Sequence, residues 1–139
     1  FYPNPNEYSE YERNQSNDVP IFRLADIILT KAEALLRGAR ATNADTPQSL
    51  LNQIRAYVHA AKFVGTPKLQ DILDERGREF VDENWRRNDM IRFGTFESEY
   101  GFHLKGFPGA RFDKSCRILP VPKAIMDENQ NWEQNEGYK

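Results

Sequence analysis

The densest run of side chains capable of chemistry is ERGREFVDENWRRNDMIRFGTF, residues 75–96. Glu75 and Glu79 stand four residues apart, a spacing that puts both carboxylates on one face of a helix. Paired carboxylates flanking a sugar bond are the machinery of most glycoside hydrolases. Two carboxylates on successive turns of one helix point the same way, however. A hydrolase needs them on opposite sides of the bond it cleaves. Its acid must also stay protonated near neutral pH, and a run of arginines favours the ionised form of nearby carboxylates. The spacing reads better as ion pairs, Glu75 with Arg78 and Glu79 with Arg76. No catalytic residue is assigned. Glu75→Gln or Glu79→Gln, with loss of hydrolysis and intact folding, is the test that would revive an enzyme.

The other reactive groups are scattered. His59 and His103 are far apart, and neither lies in a metal-ligand spacing such as HExxH. No nucleophile elbow and no glycine-rich phosphate loop is present. Cys116 is the single cysteine, which makes no intrachain disulfide and no zinc site. It reads as a small, half-buried apolar residue. Neither a metal nor a cofactor is expected. Aromatic rings can stack on the flat faces of sugars. The loop-borne candidates are Tyr2, Tyr8, Tyr11, Tyr100, Phe102 and Trp132, with Tyr2, Tyr100, Phe102 and Trp132 retained as ligand-binding candidates. For each one singly, packing is the default role.

The chain has 139 residues and a net charge of −2. Arg76, Arg78, Arg86, Arg87 and Arg92 alternate with Glu75, Glu79, Asp82, Glu83 and Asp89, so the charges cancel at a distance. That pattern argues against a nucleic-acid partner, which needs a basic stripe. The hydrophobic fraction of 39% and the mean hydropathy of −0.77 suit helices with wide polar faces. They also suit a piece whose core is completed elsewhere. No apolar run approaches the roughly 18 residues of a membrane helix. The sequence opens at Phe1 with no initiating Met and no signal peptide. A fragment is expected, with any targeting signal upstream.

These residues require helices to place them. Residues 1–20, rich in Tyr, Asn, Pro and Glu, predict an extended lead-in segment. A first helix is predicted from Pro20 to Arg37, capped by Asp18 and stopped at Gly38. Its apolar residues are Phe22, Ala25, Ile28, Leu29, Ala32, Leu35 and Leu36. Asp26, Thr30 and Glu33 form a polar line on the same helix, and Glu33 is expected to pair, because an unpaired buried carboxylate is costly. A second helix starts at the Thr46–Pro47 signal and runs to Phe63, ahead of Gly65. The signal repeats at Thr66–Pro67 for a third helix, reaching Asn84, a residue tolerant of left-handed backbone. A short helix follows from Trp85 to Phe93 and ends at Gly94. The expected fold is all-α, with tetratricopeptide-like helical hairpins of degenerate repeat over 21–94. Residues 95–139 form a loop-rich, aromatic C-terminal segment of the same domain. It holds a short strand or two and a brief helix from Pro122 to Asp127.

Four blocks of the sequence resemble the SusD/RagB family in order: FRLADIILTKAEALLRG, LLNQIRAYVHAA, ILDERGREFVDENWRRNDMIRFGTF and RILPVPKAIMDENQNWEQNEGY. Departures are few. Tyr57 and His59 stand where the family often has Arg and Ala, Asp82 and Asn84 replace small residues, and Glu136 replaces a Pro. The resemblance implies the C-terminal portion of a longer, α-helical lipoprotein on the outer face of the outer membrane. Its lipid anchor would sit on the missing N-terminus. Such a protein captures oligosaccharide, or another nutrient, for a SusC-like TonB-dependent transporter. Glu33, Arg55, Glu75, Arg76, Glu79, Arg86, Asp89 and Arg92 are expected to be structural. The alternative is a helical protein-interaction module that binds no ligand of its own.

Overall fold

The structure, a computed structural model, describes residues 21–97 and 114–138. The predicted lead-in segment, the Asp18 cap, and Tyr2, Tyr8, Tyr11, Tyr100, Phe102 and His103 lie outside them. Among the described residues the chain is all-α, with five helices and no strand. Helix α1 spans Leu24–Leu36, α2 Pro47–Tyr57, α3 Leu69–Glu79, α4 Trp85–Phe93 and α5 Lys123–Glu128. A 3₁₀ turn at Lys114–Arg117 follows α4, and no strand is found there among the described residues.

Helix α1 packs on both α2 and α3, and α3 packs on α4. Their shared core is Ala25, Leu29 and Ala32 of α1, Leu50, Leu51 and Ile54 of α2, Ile72 of α3 and Phe80 beyond it. Ile28, Leu35, Leu36, Phe63, Trp85 and Phe93 close around this cluster. Burying one such side chain contributes about 1.5–3 kcal/mol. The small residues Ala25 and Ala32 let the neighbouring helices approach α1 closely.

The element boundaries follow local hydrogen bonding. Helix α2 starts at the predicted signal: Ser49 N–H donates to Thr46 Oγ1 at 3.0 Å and Thr46 N–H to Ser49 Oγ at 2.9 Å. It ends at Tyr57, six residues before the predicted Phe63. His59 turns left-handed (φ 55°), and Ala60 N–H donates to the Arg55 carbonyl at 2.8 Å. That is a Schellman closure built without glycine. The released strand of backbone folds back along α2. Asn52 both accepts from Phe63 N–H at 2.7 Å and donates to its carbonyl at 3.1 Å.

Helix α3 does not use the Thr66–Pro67 signal. Its N-cap is Lys68, whose N–H donates to the Asp71 carboxylate at 2.7 Å. Pro67 is instead buried. The helix ends at Glu79, and Asp82 and Asn84 take left-handed backbone (φ 63° and 62°) to turn the chain into α4. Helix α1 starts at Leu24, because Arg23 is extended and its side chain is drawn toward the end of α3. Gly38 and Gly94, at φ 97° and 75°, supply the left-handed residue after α1 and α4.

Candidate functional site

The charged side chains form one band running along the helix contacts. Its centre is Arg76, 1% exposed and among the most buried side chains of the described residues. Nε donates to Asp89 Oδ2 of α4 at 2.8 Å, and one terminal nitrogen reaches Asp26 Oδ1 of α1 at 2.7 Å. The guanidinium also lies 4.9 Å from the Phe80 ring centroid and 5.8 Å from that of Trp85. One cation thus joins three helices. The fork of an arginine suits this bridge, since its donors leave a rigid plane in several directions.

The band continues on both sides of Arg76. Arg92 of α4 donates to Glu33 of α1, and to Asp89 Oδ1 at 2.9 Å. Glu33 also accepts from Arg37 at 2.8 Å, so this buried carboxylate is paired twice. Burial alone would lower the Arg92 pKa; hydrogen bonds to Glu33 and Asp89 outweigh it and leave the group above the ordinary arginine value. Glu75 Oε2 accepts from Arg55 of α2 at 2.9 and 3.1 Å and from Arg78 at 2.6 Å. Glu79 pairs with Arg23 at 2.9 Å, not with Arg76. The helical spacing brought Glu79 and Arg76 close in sequence, but Arg76 turns inward to Asp26 and Asp89.

Arg23 grips the α3–α4 turn in a fork. Nε donates to Glu83 Oε2 at 3.0 Å, one terminal nitrogen to Glu83 Oε1 at 2.8 Å, and the same nitrogen to the Glu79 carbonyl at 2.8 Å. The Glu83 hydrogen bond, opposed by burial and aided by Glu79, raises the Arg23 pKa. Sequence reasoning missed Arg23 and Glu83 as members of the band, and it placed Asp26 on the polar line of the first helix without naming its partner. Arg23 and Asp26 lie within the RLAD segment ahead of and inside α1, and their partners are more than 45 residues away, so no local spacing reveals them.

Arg86 behaves differently. It donates to the Leu73 carbonyl at 2.7 Å and lies across Gly77, where a Cβ would stand 2.7 Å from its terminal nitrogen. Glycine in the middle of α3 is therefore a docking notch for this guanidinium. Burial pushes the Arg86 pKa below the ordinary arginine value, with Asp74 and Asp89 opposing.

Glu75 and Glu79 do not converge. Glu75, 5% exposed, is turned to α2, and Glu79 is turned to the start of α1. Beside the band is an open cleft of about 380 Å³, lined by Phe22, Thr30, Trp85 and Asn88 together with band members. Its carboxylates, Asp26 and Asp89, are both engaged by arginines across helix contacts. Among the described residues no cluster of three or more metal-ligating side chains occurs. No helix among them is long and apolar enough to cross a membrane.

The C-terminal segment is clasped by carboxamides. Gln134 donates to the Val121 carbonyl and accepts from its N–H, each at 2.8 Å. Asn135 donates to the Leu119 carbonyl at 2.7 Å. Arg87 of α4 ties the segment to the helices through the Cys116 and Arg117 carbonyls, at 2.8 and 2.9 Å. Trp132, 55% exposed, stands between α5 and the clasp.

The band and the clasp therefore fall on the four sequence blocks, which are spread between residues 22 and 138. The sequence matches the SusD family over residues 2–138. The chain belongs to the SusD family. It is 36% identical, over 125 residues, to the starch-binding protein SusD of Bacteroides thetaiotaomicron. That match covers 88% of this chain and 22% of the relative. The chain thus spans about a fifth of the length of the SusD relative it matches.

Proposed function

We propose that this chain is the C-terminal part of a cell-surface lipoprotein that binds glycans and catalyses no reaction. The match to a starch-binding SusD protein carries this reading. The geometry supports it. Glu75 and Glu79 are each held by arginines and turned toward different helices, so they do not flank a common bond. The eight family-matched charges, Glu33 to Arg92, brace the scaffold of residues 21–94. Residues 95–139 complete the same domain. Tetratricopeptide-like hairpins are the arrangement this scaffold would adopt in the whole protein.

In this reading the protein sits on the outer side of the outer membrane through a lipid on a segment outside this chain. It captures an oligosaccharide by stacking and hydrogen bonds. It then passes the ligand to a SusC-like TonB-dependent transporter, which carries it inward. Trp132, exposed on a hydrogen-bonded clasp, is the described member of the aromatic set placed to stack on a sugar. Tyr2, Tyr100 and Phe102 are the further candidates. A nucleic-acid partner does not fit, because the arginines of the band are neutralised in place.

The test is calorimetric titration of the full-length protein with a panel of oligosaccharides, starch fragments first, and with peptides. Saturable binding to a glycan, with the glycan recovered uncleaved, is expected. Absence of binding to every glycan and peptide would overturn the proposal.

A further inference from the structure

The open cleft of about 380 Å³ beside the charged band has two walls. One is built by Phe22, just ahead of α1, with Asp26 and Thr30 on the first two turns of that helix. The other is a single face of α4, where Trp85, Asn88 and Arg92 recur at i, i+3 and i+7. The Phe22 and Trp85 rings stand 5.8 Å apart between centroids, tilted by 49°, and Phe22 is 69% exposed. The charges of the cleft balance: Arg76 is shared between Asp26 and Asp89, and Arg92 between Asp89 and Glu33. Two polar groups keep spare capacity. Asp26 uses Oδ1 for both Arg76 and Thr30, and its Oδ2 has no hydrogen bond among the described residues, yet is not sealed from solvent. The Asn88 carboxamide, exposed at the rim, has no partner among them either.

We infer that this cleft is a binding subsite for a neutral sugar, separate from the loop-borne aromatic set. An ion is the wrong occupant. A phosphate or an amine would find no net charge there and would have to break a buried arginine–carboxylate pair, which is costly. A neutral polyol meets what remains. Its ring face lies against Phe22 and Trp85, one hydroxyl donates to Asp26 Oδ2, and a neighbouring hydroxyl both donates to and accepts from the Asn88 carboxamide. Aromatic walls with a few fixed polar groups are the usual make-up of a small-molecule pocket, and the volume lies near the lower end of the range of about 300–1,000 Å³ for such pockets. That is room for a mono- or disaccharide unit of a longer chain. The ion pairs that brace the helices also hold the Asp26 carboxylate in place, so the subsite is rigid before the sugar arrives.

The inference rests on the glycan-binding reading for its choice of probes and adds a second place where binding occurs. The test is hydroxyl-radical footprinting of the full-length protein, read by mass spectrometry, with and without maltotriose, cellotriose or xylotriose. Phe22 and Trp85 are expected to be modified several-fold more slowly in the presence of at least one of these sugars, and at an unchanged rate with inorganic phosphate. Asn88→Ala, which removes no hydrogen bond of the fold, is expected to raise the sugar concentration needed for that protection about tenfold at an unchanged urea midpoint. Calorimetry on the same samples separates the two readings. Saturable heat with no protection of Phe22 and Trp85 overturns the subsite and leaves glycan binding elsewhere intact; absence of heat and protection with all three sugars overturns the subsite as well. Phe22 and Trp85 already shielded in the sugar-free full-length protein also overturn it, because the cleft is then filled by the protein itself. So does protection indifferent to Asn88→Ala.

Discussion

Replacing Arg76 with methionine removes the cation that joins α3 to α1 and α4 while keeping much of its apolar stem. Asp26 then loses its arginine, and Thr30, at 3.5 Å, is left as its hydrogen-bond partner. Asp89 keeps Arg92 at 2.9 Å. Breaking a buried pair from one side costs about 3–5 kcal/mol, because a buried charge is left uncompensated. The surviving Arg92 contact places Arg76→Met toward the lower end of that range. With a urea slope of about 2 kcal/mol per M, the midpoint falls by roughly 1.5–2 M at unchanged slope. Arg76→Lys is expected to lose part of this, since one ammonium does not reproduce the fork between two carboxylates. Adding Asp26→Leu to Arg76→Met removes the orphaned charge and recovers at least about half of the loss, as apolar replacement of buried pairs tends to do. Urea unfolding followed by circular dichroism measures all three. A cost below about 1 kcal/mol for Arg76→Met refutes the reasoning, as does a double variant less stable than the single one.

Gly77→Ala gains about 1 kcal/mol of helix propensity. It also pushes the Arg86 guanidinium off the Leu73 carbonyl, where a hydrogen bond from a charged group is worth about 1.5–3 kcal/mol. A net loss of about 1 kcal/mol is expected, turning into a gain of about 1 kcal/mol when Arg86→Ala is already present. A double-mutant cycle shows whether the sign reverses. Thr46→Ala removes the N-cap of α2 and is expected to cost about 1 kcal/mol by thermal denaturation. Glu97 is held below its ordinary value of 4.5, first by the hydrogen bond from Arg117, with burial opposing. A carboxylate depressed in the folded state stabilises fully above its unfolded pKa and ceases to do so as pH falls through the folded one. The stability gap between wild type and Glu97→Gln is therefore expected to be constant above about pH 5 and to shrink below the ordinary value.

The legible part of the fold was the part encoded locally. Thr46–Pro47, Gly38 and Gly94 mark helix ends through their own backbone chemistry, and the structure uses all three. Thr66–Pro67 carries the same local signal, yet Pro67 is buried and α3 takes Lys68 as its N-cap, two residues after Thr66, with the Asp71 carboxylate accepting from its N–H. Nothing in the local pattern says which of two adjacent caps tertiary packing selects. The end of α2 was misread for a related reason. Its apolar period continues to Phe63, but Asn52 and Arg55 draw that segment back along the helix. For the charged band, the i, i+3 rule found Glu75 with Arg78 and misassigned Glu79, whose partner Arg23 lies 56 residues away. Side chains that bridge helices are set by how the helices meet, and helical spacing along one element carries no record of that.

The charged band makes one comparison decisive for the claim that its side chains brace helices and perform no chemistry. The full-length protein and its Glu75→Gln and Glu79→Gln variants are assayed side by side for urea midpoint, oligosaccharide affinity and release of reducing sugar. A bracing role predicts lowered midpoints, glycan affinity unchanged within about twofold, and no sugar released by any of the three proteins. Sugar release by the wild type that disappears in a variant with an unaltered midpoint would contradict it.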